Sequence, residues 1–258
     1  MRFDSSSAWA PSPRAPRPRG TQRLQGSPKG RNRPAQPRDR GRADMLERTD
    51  GLIVRVRPLT ETSLIVHWVT RAHGRLATVA KGARRPKSAF QGRLDLFFWA
   101  ELVWQRSRRS ELHLLREVTV LDAHADLRTD WERVRLAGYA VQLLEASTET
   151  ETPIPALFEL LLGLVRHLNT HPAQGRVRLA YEVKLLALLG WPPEVPGQGL
   201  SDAARALLRE LARRDWEALG ELNPTPQTVR EVDAWLRRLW RDQAGMGRRL
   251  HEGPDAEP

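Results

Sequence analysis

The chain has 258 residues, no cysteine and a formal net charge of +11. Its length permits one or two domains with a sizeable core, and the lack of cysteine excludes disulfides, thiolate metal sites and cysteine nucleophiles. No apolar run approaches the ~18 residues of a membrane-spanning helix, and no secretory signal pattern occurs. These features predict a soluble protein, and they are compatible with a reducing cytoplasm.

Residues 1–44 form a basic extension rich in Pro, Arg, Gly and Ser, with 11 basic and 3 acidic side chains. They have almost no periodic apolar positions, so they cannot bury enough surface to offset the entropy of ordering, and we predict disorder. Three interpretations remain open: a functional basic arm, an organellar transit peptide, or translated upstream sequence with Met45 as the true start. We favour the third, because the first strand pattern begins soon after Met45.

Five segments in the next part of the chain have the β-branched content or the alternating polarity of strands. They cover residues 51–57, 63–69, 75–80, 95–105 and 111–121. Because they are short, closely spaced and joined without a crossover helix, they predict a small antiparallel barrel of the OB type. We assign residues 45–125 to this predicted barrel domain.

A basic loop, residues 80–88, follows the third predicted strand. Four cations lie within seven residues and have no carboxylate among them, which favours phosphate binding over an ordinary solvated turn. These cations are Lys81, Arg84, Arg85 and Lys87. Gly82 allows a close backbone approach, and Pro86 prevents the loop from continuing as a helix. Further candidates for phosphate contact are Arg93 and a surrounding cationic field of Arg55, Arg57, Arg71, Arg75, Arg106, Arg108 and Arg109.

Several segments resemble the bacterial DNA repair protein RecO family in their residues, their order and their spacing. They are residues 51–54, 61–66, 70–75 and 80–88, with a further similarity at 178–191. The part from Lys81 to Ser88 is the most specific of them. The resemblance covers about residues 46–193 and implies an α+β protein in which an OB-fold barrel precedes an all-helical domain.

The same resemblance implies a function. It suggests binding of single- and double-stranded DNA, annealing of complementary strands, and help in loading RecA onto DNA covered by single-stranded DNA-binding protein. The expected partners are DNA, RecR, the C-terminal tail of single-stranded DNA-binding protein and, indirectly, RecA, with no membrane. The expected location is the bacterial cytoplasm, in association with the nucleoid.

The chain departs from this family in one respect. Many members have a cysteine-ligated zinc site after the helix that ends here at Gly190 and Trp191, whereas this chain has no cysteine. His167 and His171 have i,i+4 spacing, but no carboxylate lies between them and Pro172 ends the helix, so we interpret them as helix-end histidines. We predict neither a metal nor a cofactor.

The sequence pattern becomes helical after Leu121, and we assign residues 126–250 to a helical domain and 251–258 to a disordered tail. Thr129 and Glu132 have the spacing of a capping box. Further helices are predicted at residues 154–169, 176–189, 201–214 and 225–243, with a Pro- and Gly-rich linker at 191–199.

The predicted helix at 176–189 combines cations with an apolar stripe, which suits the acidic, apolar tail of single-stranded DNA-binding protein. The cations are Arg176, Arg178 and Lys184, and the stripe consists of Leu179, Val183 and Leu186. An equally favoured interpretation is that the apolar residues are core and the cations are merely solvated.

Aromatic side chains crowd the fourth predicted strand. Alternation places Phe97 and Trp99 on one face and Phe98 and Trp104 on the other, although a barrel strand normally has only one buried face. One set is therefore expected either to pack against the helical domain or to contact DNA, and we favour the domain contact.

No residue pattern indicates an active site. The sequence has no Walker-type phosphate loop, no clustered carboxylates with nuclease-like spacing and no recognisable Ser-His-Asp set. We therefore predict a non-enzymatic mediator of DNA repair and homologous recombination. Two alternatives remain open: an OB-fold RNA-binding protein, and an interaction scaffold that binds no nucleic acid.

Overall fold

The computed structural model describes residues 46–191 and 199–244, all of which belong to one compact unit. The basic extension at 1–44, the tail at 251–258 and residues 192–198 of the predicted linker lie outside the described residues.

Five strands form a closed barrel in the order β1-β2-β3-β5-β4. They are β1 (Leu46–Pro58), β2 (Leu64–Thr70), β3 (Gly74–Ala80), β4 (Trp99–Gln105) and β5 (Leu112–Asp122). Neighbouring strands are antiparallel except β3 and β5, which run parallel. This arrangement confirms the predicted fold class, an OB-type barrel followed by helices.

Apolar side chains from alternating strand positions fill the barrel. Trp68 and Trp104 are almost completely buried there, and the Trp68 indole N–H donates a 2.9 Å hydrogen bond to the Thr78 hydroxyl. A register shift between Ile53 and Arg55 interrupts the pairing of β1 with β2. Such a bulge bends a strand. Before the bulge β1 pairs with both β4 and β2, and after it β1 pairs with β2 alone.

Five helices follow the barrel. They are α1 (Trp131–Ser147), α2 (Pro155–Thr170), α3 (Gly175–Leu188), α4 (Asp202–Arg213) and α5 (Pro226–Ala244), with short 3₁₀ segments at Asp126–Thr129 and Glu217–Glu221. Pro155 and Pro226 each occupy the first position of their helix, where a missing backbone N–H costs nothing. The helix bounds agree with the predicted ones to within one or two residues.

The predicted capping box at the start of α1 is wrong by one residue. Asp130, rather than Thr129, is the N-cap, and its carboxylate accepts hydrogen bonds from the backbone N–H groups of Glu132 and Arg133. The Thr129 hydroxyl instead donates to the Asp126 carbonyl, which closes the preceding 3₁₀ turn. A carboxylate at this position also interacts favourably with the positive end of the helix dipole.

One side of the barrel packs against the helices and shares their core. Leu52, Val54 and Val69 point out of the barrel into a cluster that contains the buried residues of all five helices. Phe97 belongs to this cluster, whereas Phe98 lies in the barrel core. The predicted packing of one aromatic set against the helices is therefore confirmed for Phe97. The predicted strand, however, begins later, because β4 starts at Trp99, so Phe97 and Phe98 lie in the turn before it and Phe97 has a φ of 63°.

A short segment before α2 joins the barrel directly. The Glu151 N–H donates a 2.8 Å hydrogen bond to the Arg75 carbonyl, and Thr150 forms a parallel bridge with Arg75. Gly74, with a φ of 65°, lies so close to Thr152 that a Cβ atom at Gly74 would overlap the Thr152 carbonyl. The barrel and the helices are thus connected by backbone pairing as well as by the common core.

His124 lies where the barrel ends and the helices begin, and it is 1 % exposed. Its Nδ1 donates a 2.7 Å hydrogen bond to the Phe97 carbonyl, which can only accept. Burial lowers the pKa of His124 from its usual value near 6.5, and the Phe97 carbonyl and Asp122 offset this effect only in part.

We expect the free energy of unfolding to decrease as the pH falls below about 6.5, because the unfolded chain then binds a proton that the folded chain resists. His124→Gln should remove part of this dependence, so its stability should change less than that of the wild type between pH 7 and about 5.5. Urea denaturation at a series of pH values measures both slopes. Identical slopes for the two proteins would contradict the assignment.

Candidate nucleic-acid interface

The basic loop begins where β3 ends and is built from consecutive turns. Backbone hydrogen bonds join Ala83 to Ala80, Arg85 to Gly82 and Ser88 to Arg85 at 3.0–3.3 Å. Gly82 has a φ of 69°, a conformation that favours glycine. The loop backbone therefore has a defined conformation made of hydrogen-bonded turns, and this backbone carries the cationic side chains.

Two sets of contacts hold the loop on the barrel. Phe90 and Leu94 pack against the barrel core from the same connection. The turn between β1 and β2 provides the second set, in which the backbone N–H of Arg84 donates to the Thr62 carbonyl at 3.0 Å and its guanidinium donates to the Thr60 carbonyl at 3.3 Å. The loop and this turn therefore form one continuous surface at the end of the barrel.

The four predicted loop cations are exposed. Lys81, Arg84, Arg85 and Lys87 form no ion pair with any residue in the described part of the chain. Arg93 is also exposed, its guanidinium donates a 3.2 Å hydrogen bond to the Val118 carbonyl, and it forms no ion pair with the residues that the structure describes. All five predicted phosphate ligands of this group thus retain positive charge that no internal carboxylate neutralises.

Four arginines of the predicted cationic field have partners inside the protein. Arg55 pairs with Glu145 at 2.6 Å, and Arg106 forms ion pairs with Glu47 and Glu151. Arg75 donates to the Thr148 carbonyl, and burial lowers its pKa. These contacts connect the barrel to α1 and to the segment before α2, so we interpret the side chains as structural.

Arg71 is the fourth of these internal arginines. It donates two hydrogen bonds to Asp50 through its Nε (3.1 and 3.2 Å) and one through Nη2 (3.1 Å), it pairs with Glu159, and it lies 4.7 Å above the Phe158 ring. Burial alone would raise the pKa of the Asp50 carboxyl, but hydrogen bonds from Arg71 and Trp99 outweigh burial and lower it. Arg71 therefore joins the start of the barrel to α2.

The remaining field residues separate into two places. Arg57 is exposed on β1 beside Ile65, close to the basic loop. Arg108 and Arg109 are exposed in the turn that leaves β4, whereas the basic loop belongs to the connection that enters β4. The structure thus groups Arg57 with the loop and places the pair 108–109 at the other end of β4.

The outer surfaces of β1, β2 and β3 continue the basic surface. Pairing places Arg57 beside Ile65 and Ile65 beside Val79, and all three side chains are at least partly exposed. Sequence reasoning missed these apolar positions and also Leu59, which is 45 % exposed in the turn against the loop. Within the strands, the sequence shows only the alternation of side chains between the two faces. It does not show which of the outward side chains the helices cover.

The predicted partner-binding residues are all engaged within the helical half. Arg178 pairs with Glu182 at 2.6 Å and with Asp233 at 2.5 Å. Burial lowers the pKa of Arg178, but the two carboxylates raise it by more, so its guanidinium stays charged. Lys184 donates to two backbone carbonyls at the end of α4, and Arg176 donates to three carbonyls around the second 3₁₀ segment.

A groove of about 260 Å³ nevertheless lies beside α3. Arg176 and Arg178 contribute to its wall, whereas Lys184 does not. Its apolar floor consists of Leu179, Leu207, Leu211, Leu222 and Val229. All three residues of the predicted stripe, Leu179, Val183 and Leu186, are buried, as in the interpretation that they belong to the core. The contribution of α4 and α5 to the groove was not predicted.

Arg230 is the accessible cation of this groove. It is exposed on α5, and it has neither an ion pair nor a side-chain hydrogen bond within the described residues. Arg237, by contrast, pairs with Asp233 at 2.8 Å. The spacing of the leucines along α4 and the position of Arg230 near the start of α5 are visible in the sequence. The groove itself forms only where these two helices pack against α3.

Comparison with known proteins gives a family match in each half of the chain. Residues 45–124 match the family described as Recombination protein O N terminal, and residues 128–196 match Recombination protein O C terminal. The chain is similar to DNA repair protein RecO of Roseiflexus sp., with 31 % identity over 77 % of this chain and 81 % of the relative. The chain belongs to the RecO family.

Two further RecO proteins show similar coverage. That of Salinibacter ruber is 30 % identical over 76 % of this chain and 87 % of its own length. That of Bacillus pumilus is 28 % identical over 78 % of this chain and 91 % of its own length. The similarity to RecO proteins therefore extends over the barrel and most of the helices.

Neither a membrane span nor a metal cluster occurs within residues 46–191 and 199–244. The rings of His167 and His171 stack with centroids 4.4 Å apart. Burial lowers the pKa of His167, and His171 lowers it further. The structure thus gives the two histidines a packing role at the end of α2.

Arg178→Met should destabilise the protein by about 3–5 kcal/mol, because it leaves the buried Glu182 carboxylate without its cation. The control Arg209→Met removes an exposed arginine from α4 and should change the free energy of unfolding by less than about 0.5 kcal/mol. Chemical denaturation of the three proteins measures the difference. Equal stabilities of Arg178→Met and Arg209→Met would show that Arg178 has no structural role.

Proposed function

We propose that this RecO family member is a non-enzymatic mediator of DNA repair and homologous recombination that binds single- and double-stranded DNA through its barrel. The observation that carries the proposal is the group of exposed loop cations without internal carboxylate partners. Such cations neutralise phosphates and release counterions, which supplies affinity that does not depend on base sequence. We further propose that the protein anneals complementary strands and associates with the nucleoid.

The surface beside the loop suits a single strand. Ile65, Val79 and Leu59 present apolar atoms next to the cations, so that the sugar and base faces of a strand contact carbon while its phosphates contact Arg57 and the loop. Annealing follows from the same surface, because neutralising the phosphates of one strand lowers its repulsion toward the complement.

The groove beside α3 supports a second part of the proposal. An acidic peptide with an apolar end needs an apolar floor and a cation for its terminal carboxylate, since a buried carboxylate without a partner is costly. The leucine-lined groove and Arg230 meet both needs. We propose that this groove binds the C-terminal tail of single-stranded DNA-binding protein, and that RecR and, indirectly, RecA are further partners.

An OB-fold RNA-binding protein is the alternative that the barrel itself favours, since OB surfaces bind both nucleic acids. RNA readout requires contacts to the 2′-hydroxyl. Affinities for single-stranded DNA and RNA of matched sequence distinguish the two functions, and the mediator proposal predicts that DNA binds at least as tightly as RNA.

Replacing both Arg84 and Arg85 by alanine should weaken binding to single-stranded DNA whatever its base sequence. Each lost phosphate contact should reduce the slope of log K against log salt by about 0.7. The control is Arg209→Ala with Arg213→Ala, which removes the same charge from the exposed surface of α4. Fluorescence anisotropy over a range of salt concentrations measures the slopes. Equal slopes for the two double variants would contradict the proposed interface.

Arg230→Glu should weaken the binding of a labelled tail peptide by at least about tenfold, because it replaces the attraction to the peptide carboxylate by repulsion. The exposed control Arg213→Glu makes the same charge change outside the groove and should retain the wild-type peptide affinity. DNA affinity should be similar in the two variants. A wild-type peptide affinity in Arg230→Glu would place the partner site elsewhere.

A further inference from the structure

A second cavity lies on the barrel side of the molecule, apart from the groove beside α3. It has a volume of about 210 Å³ and lies between the outer surfaces of β2, β3 and β5, the end of α1 and the segment before α2. Drug-sized ligands and cofactors occupy pockets of about 300–1,000 Å³. This cavity is smaller, so its size suits a single planar heterocycle.

The lining combines apolar walls with polar groups at the edge. Val54 and Leu112 contribute carbon surface, and Ala77 leaves space because its side chain ends at Cβ. The Arg75 Nε atom is buried and has no hydrogen-bond partner among the described residues, although another nitrogen of the same guanidinium donates to Thr148. A buried donor without a partner is costly, and a ligand that accepts a hydrogen bond would offset that cost.

His67 adds a donor and an acceptor to the same cavity. Burial lowers the pKa of His67, and the positive charges of Arg55 and Arg57 lower it further, so that the neutral imidazole is favoured. A neutral imidazole has one N–H donor and one nitrogen acceptor. A nucleobase has the matching properties, since its faces are apolar and its edge carries both donors and acceptors.

The charges of the cavity favour a neutral group over a phosphate. Three carboxylates, those of Glu111, Glu145 and Glu151, contribute to its wall. Glu145 and Glu151 are paired with Arg55 and Arg106, so the cavity has little net positive charge to hold a phosphate, whereas a neutral base needs none. The phosphates of a bound strand therefore stay on the basic surface outside, where Arg57 and the loop cations lie.

The cavity is also within reach of that surface. Ala77 lies three residues before Ala80, where β3 ends and the loop begins, which corresponds to about 10 Å along the strand. A strand whose backbone contacts the loop could therefore turn a neighbouring base toward the barrel.

We propose that this cavity binds one unstacked base of the single strand held by the basic loop. The inference rests on the DNA binding proposed above and assigns a further subsite to it. Holding one base out of the stack would keep the bound strand from forming its own secondary structure, and it would leave neighbouring bases free to pair with a complement.

Photo-crosslinking of a thymine-rich oligonucleotide that contains 5-iododeoxyuridine tests the proposal. Peptides that contain His67, Ala77 or Leu112 should carry the crosslink. Ala77→Leu fills the cavity and should reduce this crosslink at least fivefold while DNA affinity stays within about threefold. The matched control Ala72→Leu adds the same side chain at an exposed turn position outside the cavity and should crosslink as the wild type does. Ala77→Val provides a smaller, strand-compatible change if Ala77→Leu lowers the thermal midpoint.

Three results would overturn the proposal. The first is a crosslink confined to peptides that contain none of His67, Ala77 and Leu112. The second is an undiminished crosslink in folded Ala77→Leu or Ala77→Val. The third is suppression of the crosslink by low concentrations of free thymidine monophosphate, which would assign the cavity to a mononucleotide instead of a base in a strand. The two proposals fail differently: a wild-type protein without DNA affinity overturns both, whereas loop-dependent DNA binding without a cavity crosslink overturns this one alone.

Discussion

The need to cover the apolar outer side of the barrel determines the rest of the structure. Leu52 and Val69 point away from the barrel interior, yet they are 0 % and 3 % exposed because helices lie over them. Burying an aliphatic side chain of this size contributes about 1.5–3 kcal/mol. This requirement fixes α1 and α2 on one side of the barrel, and the basic loop and the β1–β2 turn, which form the proposed DNA-binding surface, stay exposed.

The arginines of the barrel divide according to their neighbours in space. Arg71 and Arg106 are as cationic in sequence as Arg84 and Arg85, but Asp50, Glu47 and Glu151 neutralise them in the folded protein. These carboxylates lie 21 to 59 residues away along the chain. The proposed phosphate-binding surface thus consists of the cations that folding leaves without a carboxylate, and the internal pairs use the other arginines to hold the two halves together.

The difference between local patterns and contacts of distant residues explains which features could be predicted from the sequence. Strand alternation, helix periodicity and Pro at the first helical position are local patterns, and they predicted the barrel, the order of the elements and the helix bounds. The loop cations were found because their sequence neighbours include no acid. The internal role of Arg178 was predicted from neither of its partners: Glu182 has the local i,i+4 spacing but its burial is a property of the fold, and Asp233 is 55 residues away. The groove was missed because three helices form it together.

Hydrogen–deuterium exchange of the protein with and without single-stranded DNA tests the central claim most directly. The account predicts that DNA slows amide exchange in the β1–β2 turn, in β3 and in the loop that begins at Lys81, and that α4 and α5 exchange at the same rate in both states. Protection confined to the helices, with unchanged exchange in the basic loop, would contradict it.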